Sequence, residues 1–161
     1  MIADGLLDDA ARLLDACRTR GWMLATAESC TGGLIAAALT AIAGSSDVVD
    51  RGFVTYSNEA KMELLGVPGE LIGEHGAVSE SVARAMAEGA LARSRATITI
   101  AVTGLAGPGG GSAEKPVGLV WFGLAQRGTS VHSERVVFPG DRGAIREAAV
   151  AHALKLILAR T

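Results

Sequence analysis

The most informative segment of the chain is Ala27-Glu28-Ser29-Cys30-Thr31-Gly32-Gly33, where an apolar stretch meets a run of small residues that favour helix. The apolar stretch from Trp22 to Ala27 predicts a buried strand, and Gly33 to Ala43 predicts a helix. A strand that turns sharply into a helix leaves backbone N–H groups free at the helix N-terminus, where negative charge is favoured. The turn also presents hydroxyl and thiol side chains to a substrate. The segment therefore predicts a site for hydrolysis or group transfer.

The elements on either side of this turn predict a layered α/β fold. Helices are predicted over 1–20, 33–43, 59–65, 79–93 and 141–160, and strands over 22–27, 51–57, 97–103, 118–126 and 130–138. Asn58 is the expected N-cap of the third helical segment, and Pro68-Gly69 is expected to break the chain. Helices between strands favour a three-layer α/β/α sandwich with a mixed, mostly parallel sheet of about five strands. Residues 1–161 are expected to form one domain.

Composition and charge argue against several classes of protein. The net charge is -2 and no basic block stands out, which disfavours a general nucleic-acid binder. The longest apolar runs are shorter than the ~18 residues of a membrane span. The first residues lack the pattern of a signal peptide, so a cytoplasmic protein is expected. The spacing of the cysteines, histidines and carboxylates predicts neither a disulfide framework nor a metal site, and no cofactor is expected.

Five separate motifs lie along the chain in an order that is more specific than any one of them alone. They are Ala27-Glu28-Ser29-Cys30-Thr31-Gly32-Gly33, Gly52-Phe53-Val54-Thr55-Tyr56-Ser57-Asn58-Glu59-Ala60-Lys61, His75-Gly76-Ala77-Val78-Ser79, Thr103-Gly104-Leu105-Ala106-Gly107-Pro108-Gly109-Gly110 and Glu114-Lys115-Pro116-Val117-Gly118. With these motifs the chain resembles the CinA C-terminal domain family over nearly its whole length. The resemblance implies a three-layer α/β/α fold with a mixed sheet. It also implies an amidohydrolase that converts nicotinamide mononucleotide and water to nicotinate mononucleotide and ammonia.

Ser29 is the expected nucleophile, and it needs a base to take its proton. His132 and His152 adjoin no motif, so a Ser-His-Asp triad is not supported, and Lys61, at the end of the second motif, is the expected base of a Ser-Lys pair. Such a lysine must be neutral, which requires its pKa to fall from ~10.4 to about 7–8. Tyr56 is expected to relay a proton or to hold Lys61. On the residues alone, the alternatives are that Ser29 is a helix cap or a turn residue and that Lys61 is a solvated residue on a helix.

The residues beside Ser29 have alternative roles. Cys30 is an alternative nucleophile, because a helix N-terminus lowers a thiol pKa, although buried cysteines are common. Thr31 is expected to be the helix N-cap and to contact ligand. Glu28 is expected to orient Lys61 or a water molecule, or else to form a salt bridge. Together with Gly32, these three residues are expected to contact the substrate.

The glycine-rich segment from Gly104 to Ser112 follows the strand predicted over 97–103, which is expected to be central in the sheet. Gly104, Gly107 and Gly109 are expected to let the backbone approach a ligand, so that N–H groups can cradle a phosphate. Arg142, at the start of the last helix, is expected to balance the phosphate charge, with Lys115 and Arg146 as further candidates. The alternatives are a flexible crossover loop and surface cations.

These observations favour a metal-independent amidohydrolase whose partner is a small-molecule nucleotide. Two other hypotheses remain open: a nucleotide-binding regulatory module with the same pocket and no turnover, and a thiol hydrolase that uses Cys30. The Ala-rich helices permit close packing between subunits, so a homo-oligomer is expected.

Overall fold

The computed structural model describes residues 1–161 and contains a five-stranded sheet between two layers of helices. The helices are α1 Asp4–Arg20, α2 Leu34–Thr40, α3 Asn58–Leu65, α4 Gly69–His75, α5 Glu80–Ala92 and α6 Arg142–Leu158. The strands are β1 Leu24–Glu28, β2 Val49–Val54, β3 Ile98–Gly104, β4 Leu119–Gln126 and β5 His132–Val137. The predicted three-layer architecture is confirmed. None of the helices is long and apolar enough to cross a membrane.

The sheet is mixed, with strand order β2-β1-β3-β4-β5. Strand β1 pairs in parallel with both β2 and β3, whereas the β3–β4 and β4–β5 pairs are antiparallel. Four strands therefore run in one direction and only β4 is reversed, so half of the pairings are antiparallel. At the carboxyl end of β1, Glu28 lies opposite Val54 of β2 and Val102 of β3. The segments that follow these three strands consequently meet at one edge of the sheet.

Two apolar clusters fill the spaces on the two faces of the sheet. The larger cluster packs α1, α2 and α6 against one face, and the smaller one packs α3, α4 and α5 against the other. Few of the core side chains are aromatic, as the composition requires, and Phe122 of β4 is the largest apolar one that is fully buried. The strand β1 is buried along its whole length. Ser29 thus directly follows a fully buried strand of the sheet.

One helix was not predicted, and one predicted cap was wrong. The break expected at Pro68-Gly69 separates α3 from α4, and the unpredicted helix α4 begins at Gly69 with Pro68 as its N-cap. Proline is well suited to a helix start because its φ is already close to the helical value and it has no N–H to satisfy. Helix α3 is capped by Ser57, whose hydroxyl accepts from the Ala60 N–H at 3.0 Å, and not by Asn58. This frees the Asn58 side chain for another role.

Candidate active site

A cleft of about 280 Å³ lies at the edge of the sheet where β1, β2 and β3 end. It is built from four of the five sequence motifs, and no carboxylate lines it. Its lining residues are Ser29, Cys30, Tyr56, Asn58, Lys61, Ala77, Val78, Thr103, Gly104, Leu105, Ala106, Gly107, Gly109 and Arg142.

Ser29 and Lys61 are in hydrogen-bond contact at the bottom of this cleft. The Nζ atom of Lys61 lies 3.0 Å from Ser29 Oγ, 2.9 Å from the carbonyl oxygen of Thr55 and 3.4 Å from that of Tyr56. Lys61 lies in the first turn of α3, and helical side chains tilt toward the N-terminus, so its amine points back toward the sheet edge. Only 1% of Lys61 is exposed, so the contact is shielded from water.

Burial sets the electrostatics of the two ionisable groups beside Ser29. Desolvation lowers the pKa of Lys61, because a buried ammonium loses its hydration and no carboxylate contacts it in return. Desolvation raises the pKa of the Cys30 thiol to about 11, and this effect outweighs the nearby charge of Arg146. The lysine is thereby shifted toward its neutral, basic form. The thiol is kept protonated, which argues against Cys30 as the nucleophile.

Glu28 supports the nucleophile turn from inside the protein, contrary to both predicted roles. Its carboxylate is fully buried and accepts from Thr31 Oγ1 at 2.7 Å, from the Ile35 N–H at 2.9 Å and from the Ala36 N–H at 3.0 Å. Glu28 therefore caps α2, contacting neither Lys61 nor a cation. The Ile35 and Ala36 N–H groups at the start of α2, where negative charge from a ligand was expected, therefore already have an acceptor within the protein.

Thr31 is not the N-cap of α2, and it does not line the cleft. Its hydroxyl donates to Glu28, while Gly33 occupies the N-cap position with φ of 101°. Gly32 also has positive φ, at 58°, and lies outside the cleft lining. The two glycines let the backbone reverse within four residues of the nucleophile. Their place in the motif is explained by the turn, and substrate contact is not required to explain it.

The three cationic side chains that were predicted to balance a phosphate charge have different surroundings. Arg142 lines the cleft, where it donates to the Gly107 carbonyl at 2.8 Å and to the Tyr56 hydroxyl at 3.3 Å. Lys115 donates to the carbonyl of His75, outside the cleft. Arg146 lies behind the turn. Only Arg142 is thus placed to meet a ligand in this cleft.

Tyr56 contacts Lys61 through its backbone and not through its phenol. The carbonyl of Tyr56 is the third neighbour of the lysine amine, while the hydroxyl faces Arg142 and the residue is 64% exposed. The phenol therefore lies at the mouth of the cleft. The structure supports the holding role predicted for Tyr56, but places its hydroxyl away from any proton relay at Lys61.

The glycine-rich loop forms one wall of the cleft through Gly104, Gly107 and Gly109. A side chain at Gly104 would place its Cβ 2.7 Å from Val120, and one at Gly107 would place it 2.5 Å from Val117. Gly107 also has φ of 77°. Close packing against the β4 side of the sheet therefore requires two of these glycines, whatever ligand the loop contacts.

Sequence reasoning missed several lining residues. Asn58 was interpreted as a cap, yet its amide lies in the cleft and makes no hydrogen bond within the protein. Ala77 and Val78 form an apolar wall, and Thr103 Oγ1 donates to the Ala77 carbonyl at 2.8 Å, which holds this wall over β3. The motif from His75 to Ser79 was the available signal, although none of its side chains suggested chemistry.

Comparisons with known proteins agree with this arrangement. The nicotinamide-nucleotide amidohydrolase PncC of Escherichia coli K12 is 52% identical over 143 residues, which cover 88% of this chain and 86% of that protein. The PncC protein of Enterobacter agglomerans is 53% identical over 143 residues, 89% of this chain and 87% of its own length. A longer relative from Symbiobacterium thermophilum is 56% identical over 146 residues, and this chain spans only 34% of it.

Solved structures and a family model extend the match to the fold. The crystal structure of the competence/damage inducible protein CihA from Agrobacterium tumefaciens superposes with a TM-score of 0.96 at 51% identity, covering 99% of this chain and 97% of that one. The family model described as the CinA C-terminal domain matches residues 8–161. Since sequence, motif order and topology all agree, this chain belongs to the CinA C-terminal domain family.

Proposed function

We propose that this protein is a nicotinamide-nucleotide amidohydrolase, which releases ammonia from nicotinamide mononucleotide with Ser29 as nucleophile, Lys61 as base and no metal ion. The substrate assignment is supported by the PncC relatives, which carry this activity in their names at 52–53% identity over most of this chain. The mechanism depends on one observation, the buried contact between Ser29 Oγ and Lys61 Nζ.

The neighbours of Lys61 can orient a neutral amine so that it accepts from Ser29. The carbonyl oxygens of Thr55 and Tyr56 can only accept hydrogen bonds, so they take the two N–H groups of a neutral amine. The remaining lone pair then faces the Ser29 hydroxyl, which is the only one of the three neighbours that can donate. The same surroundings that lower the pKa of Lys61 therefore also orient it as a base.

The reaction proceeds through an ester of Ser29. As Oγ attacks the carboxamide carbon, the hydroxyl proton passes to Lys61 Nζ. The C–N bond then breaks, and Lys61 returns that proton to the departing ammonia. A water molecule gives a proton to Lys61 and attacks the ester carbon. Cleavage of the bond to Oγ releases nicotinate mononucleotide, and the proton returns to Ser29.

The developing negative charge needs a donor close to Ser29. The backbone N–H of Cys30, the residue after the nucleophile, has no acceptor in the protein, and Cys30 lines the cleft. This group is our candidate for stabilising the oxyanion. Arg142, at the mouth of the cleft, is our candidate for the substrate phosphate.

Ammonia release by the purified protein tests this function. We expect the wild type to release ammonia from nicotinamide mononucleotide, and chelator treatment to leave the rate unchanged. Ser29→Ala is expected to lower turnover at least ~10³-fold, whereas Cys30→Ala keeps most of the activity because its thiol is protonated at neutral pH. Ligand binding without ammonia release would instead support the regulatory module. A loss in Cys30→Ala as deep as that in Ser29→Ala would support the thiol hydrolase.

A further inference from the structure

Helix α6 carries two arginines one turn apart that face different sides of the nucleophile turn. Arg142 lines the cleft in front, and the mechanism above uses it. Arg146 does not line the cleft, being half-buried behind the turn beside apolar residues such as Leu34 and Val150. A buried guanidinium is costly unless its donors are satisfied, so its partners indicate what it does.

The partners of Arg146 are two successive backbone carbonyls directly after the nucleophile. Its Nε donates to the Cys30 oxygen at 3.0 Å, and its Nη2 donates to the Thr31 oxygen at 3.3 Å. The planar fork of guanidinium donors lets one side chain contact both carbonyls through two different nitrogen atoms. Arg146 has no carboxylate partner, so its hydrogen bonds go to these two peptide groups alone.

A chain of hydrogen bonds leads from Arg146 to the nucleophile. The Thr31–Gly32 peptide accepts from Arg146 at its oxygen, and its N–H, on Gly32, donates to the Ser29 carbonyl at 3.0 Å. On the opposite side, the Ser29 N–H donates to Val102 of β3 at 3.0 Å. Linked hydrogen bonds of this kind polarise and strengthen one another. The Ser29 backbone is therefore held between β3 and the peptide that Arg146 fixes.

We infer that Arg146 is a positioning residue, which holds the Ser29 turn so that Oγ stays within reach of Lys61. The inference rests on the proposed function of Ser29 as nucleophile. The turn needs such support because Gly32 and Gly33 give it little stiffness of their own. A displacement of about 1 Å at a reacting atom costs on the order of 100-fold in rate.

The test compares Arg146→Ala with Glu147→Ala, the next residue on the same helix, which is exposed and makes no hydrogen bond. Each variant is assayed for kcat and KM with nicotinamide mononucleotide, and for the rate at which a fluorophosphonate probe labels Ser29. For Arg146→Ala we expect kcat and the labelling rate to fall together by about 10- to 100-fold, with KM close to that of the wild type. Glu147→Ala should match the wild type in all three.

Arg146→Lys provides the second variant, and it carries the test if Arg146→Ala does not fold. Lysine keeps the charge but lacks the rigid fork of two nitrogen donors, so an intermediate loss in both rates is expected. An unchanged labelling rate, a rise in KM with unchanged kcat, or an equal loss in Glu147→Ala would each overturn the inference.

The probe also separates this inference from the proposed function. If the wild type does not release ammonia from nicotinamide mononucleotide, the assigned substrate is wrong. In that case, labelling that still depends on Arg146 would support the positioning role at Ser29, and labelling independent of Arg146 would overturn it.

Discussion

In the proposed mechanism, Ser29 and Lys61 depend on each other, because the serine needs a base and the lysine needs a nucleophile to activate. A serine hydroxyl needs a base, and the basic group in contact with Ser29 Oγ is Lys61 Nζ, at 3.0 Å. We therefore expect Ser29→Ala and Lys61→Met each to lower kcat by at least ~10³-fold, and the double variant to be little worse than either, because groups that act as a unit lose their effects non-additively. Steady-state ammonia release measures this, with circular dichroism to check folding. Losses that multiply in the double variant would contradict the pairing.

The same pair predicts the direction of the pH dependence. Lys61 must be neutral to act, and burial lowers its pKa from the ordinary value. The value of kcat/KM should rise with pH as Lys61 loses its proton and fall as pH drops through the lowered pKa, giving an acid limb that reports the free enzyme. A pH series of kcat/KM measures it. Cys30→Ala should show the same acid limb in kcat/KM, because the pKa of the Cys30 thiol is about 11. If the limb disappeared in Cys30→Ala, the titrating group would be the thiol and not Lys61.

At the residue scale, the sequence predicts where chemistry occurs better than it predicts which atoms meet. Ser29 and Lys61 lie just beyond the carboxyl ends of the neighbouring parallel strands β1 and β2, so their convergence is expected from topology. The exchange of roles between Glu28 and Thr31 was not foreseen, because a long carboxylate that folds back to cap its own following helix leaves no distinct local pattern. The direction of the Tyr56 phenol depends on Arg142, which is 86 residues away.

At the scale of elements, the junction between β1 and α2 depends on Glu28. Glutamine there would keep one acceptor oxygen but would place an NH₂ donor among N–H groups and a hydroxyl. We expect Glu28→Gln to lower the free energy of unfolding by about 1–3 kcal/mol, the cost of unsatisfied buried polar groups, as measured by urea denaturation. The exposed Glu147→Gln is the matched control and should change it by less than about 0.5 kcal/mol. Equal effects of the two substitutions would refute the capping role.

Most elements were predictable because their periodicity is strong and their caps are conventional. Ser79 and Asp141 accept from the N–H groups of Val82 and Ala144, as expected for the starts of α5 and α6. Helix α4 was missed because seven residues carry too little periodic signal to outweigh the Pro-Gly pair before them. That short helix matters for the site, since it leads into the segment that carries Ala77 and Val78 over the cleft.

At the scale of the whole molecule, the charge distribution determines how an anionic substrate is accommodated. The protein carries a net charge of -2, and Lys61 and Arg142 are the only cationic side chains that line the cleft. In the proposed mechanism Lys61 is a neutral base at the bottom, so we expect the substrate phosphate to bind at the mouth. The carboxamide would then lie deep in the cleft and the phosphate beside Arg142. The sequence favoured Arg142 over Lys115 and Arg146 because it starts the last helix, but it did not show which of the three lines the cleft.

Arg142→Ala tests this division of the cleft. A charge-assisted hydrogen bond contributes about 1.5–3 kcal/mol, so KM for nicotinamide mononucleotide should rise roughly 10- to 100-fold with a smaller change in kcat. Nicotinamide riboside, which lacks the phosphate, should be a poor substrate of the wild type and should lose little further in the variant. Lys115→Ala, outside the cleft, is the matched control and should leave KM unchanged.

Arg142 also donates to the Gly107 carbonyl, so Arg142→Ala could loosen the glycine-rich loop as well as remove a phosphate contact. The riboside distinguishes these two effects: a loosened loop would impair hydrolysis of both substrates, whereas a lost phosphate contact would impair only that of the nucleotide. Equal hydrolysis of riboside and nucleotide by the wild type would show that the phosphate is not held at this end of the cleft.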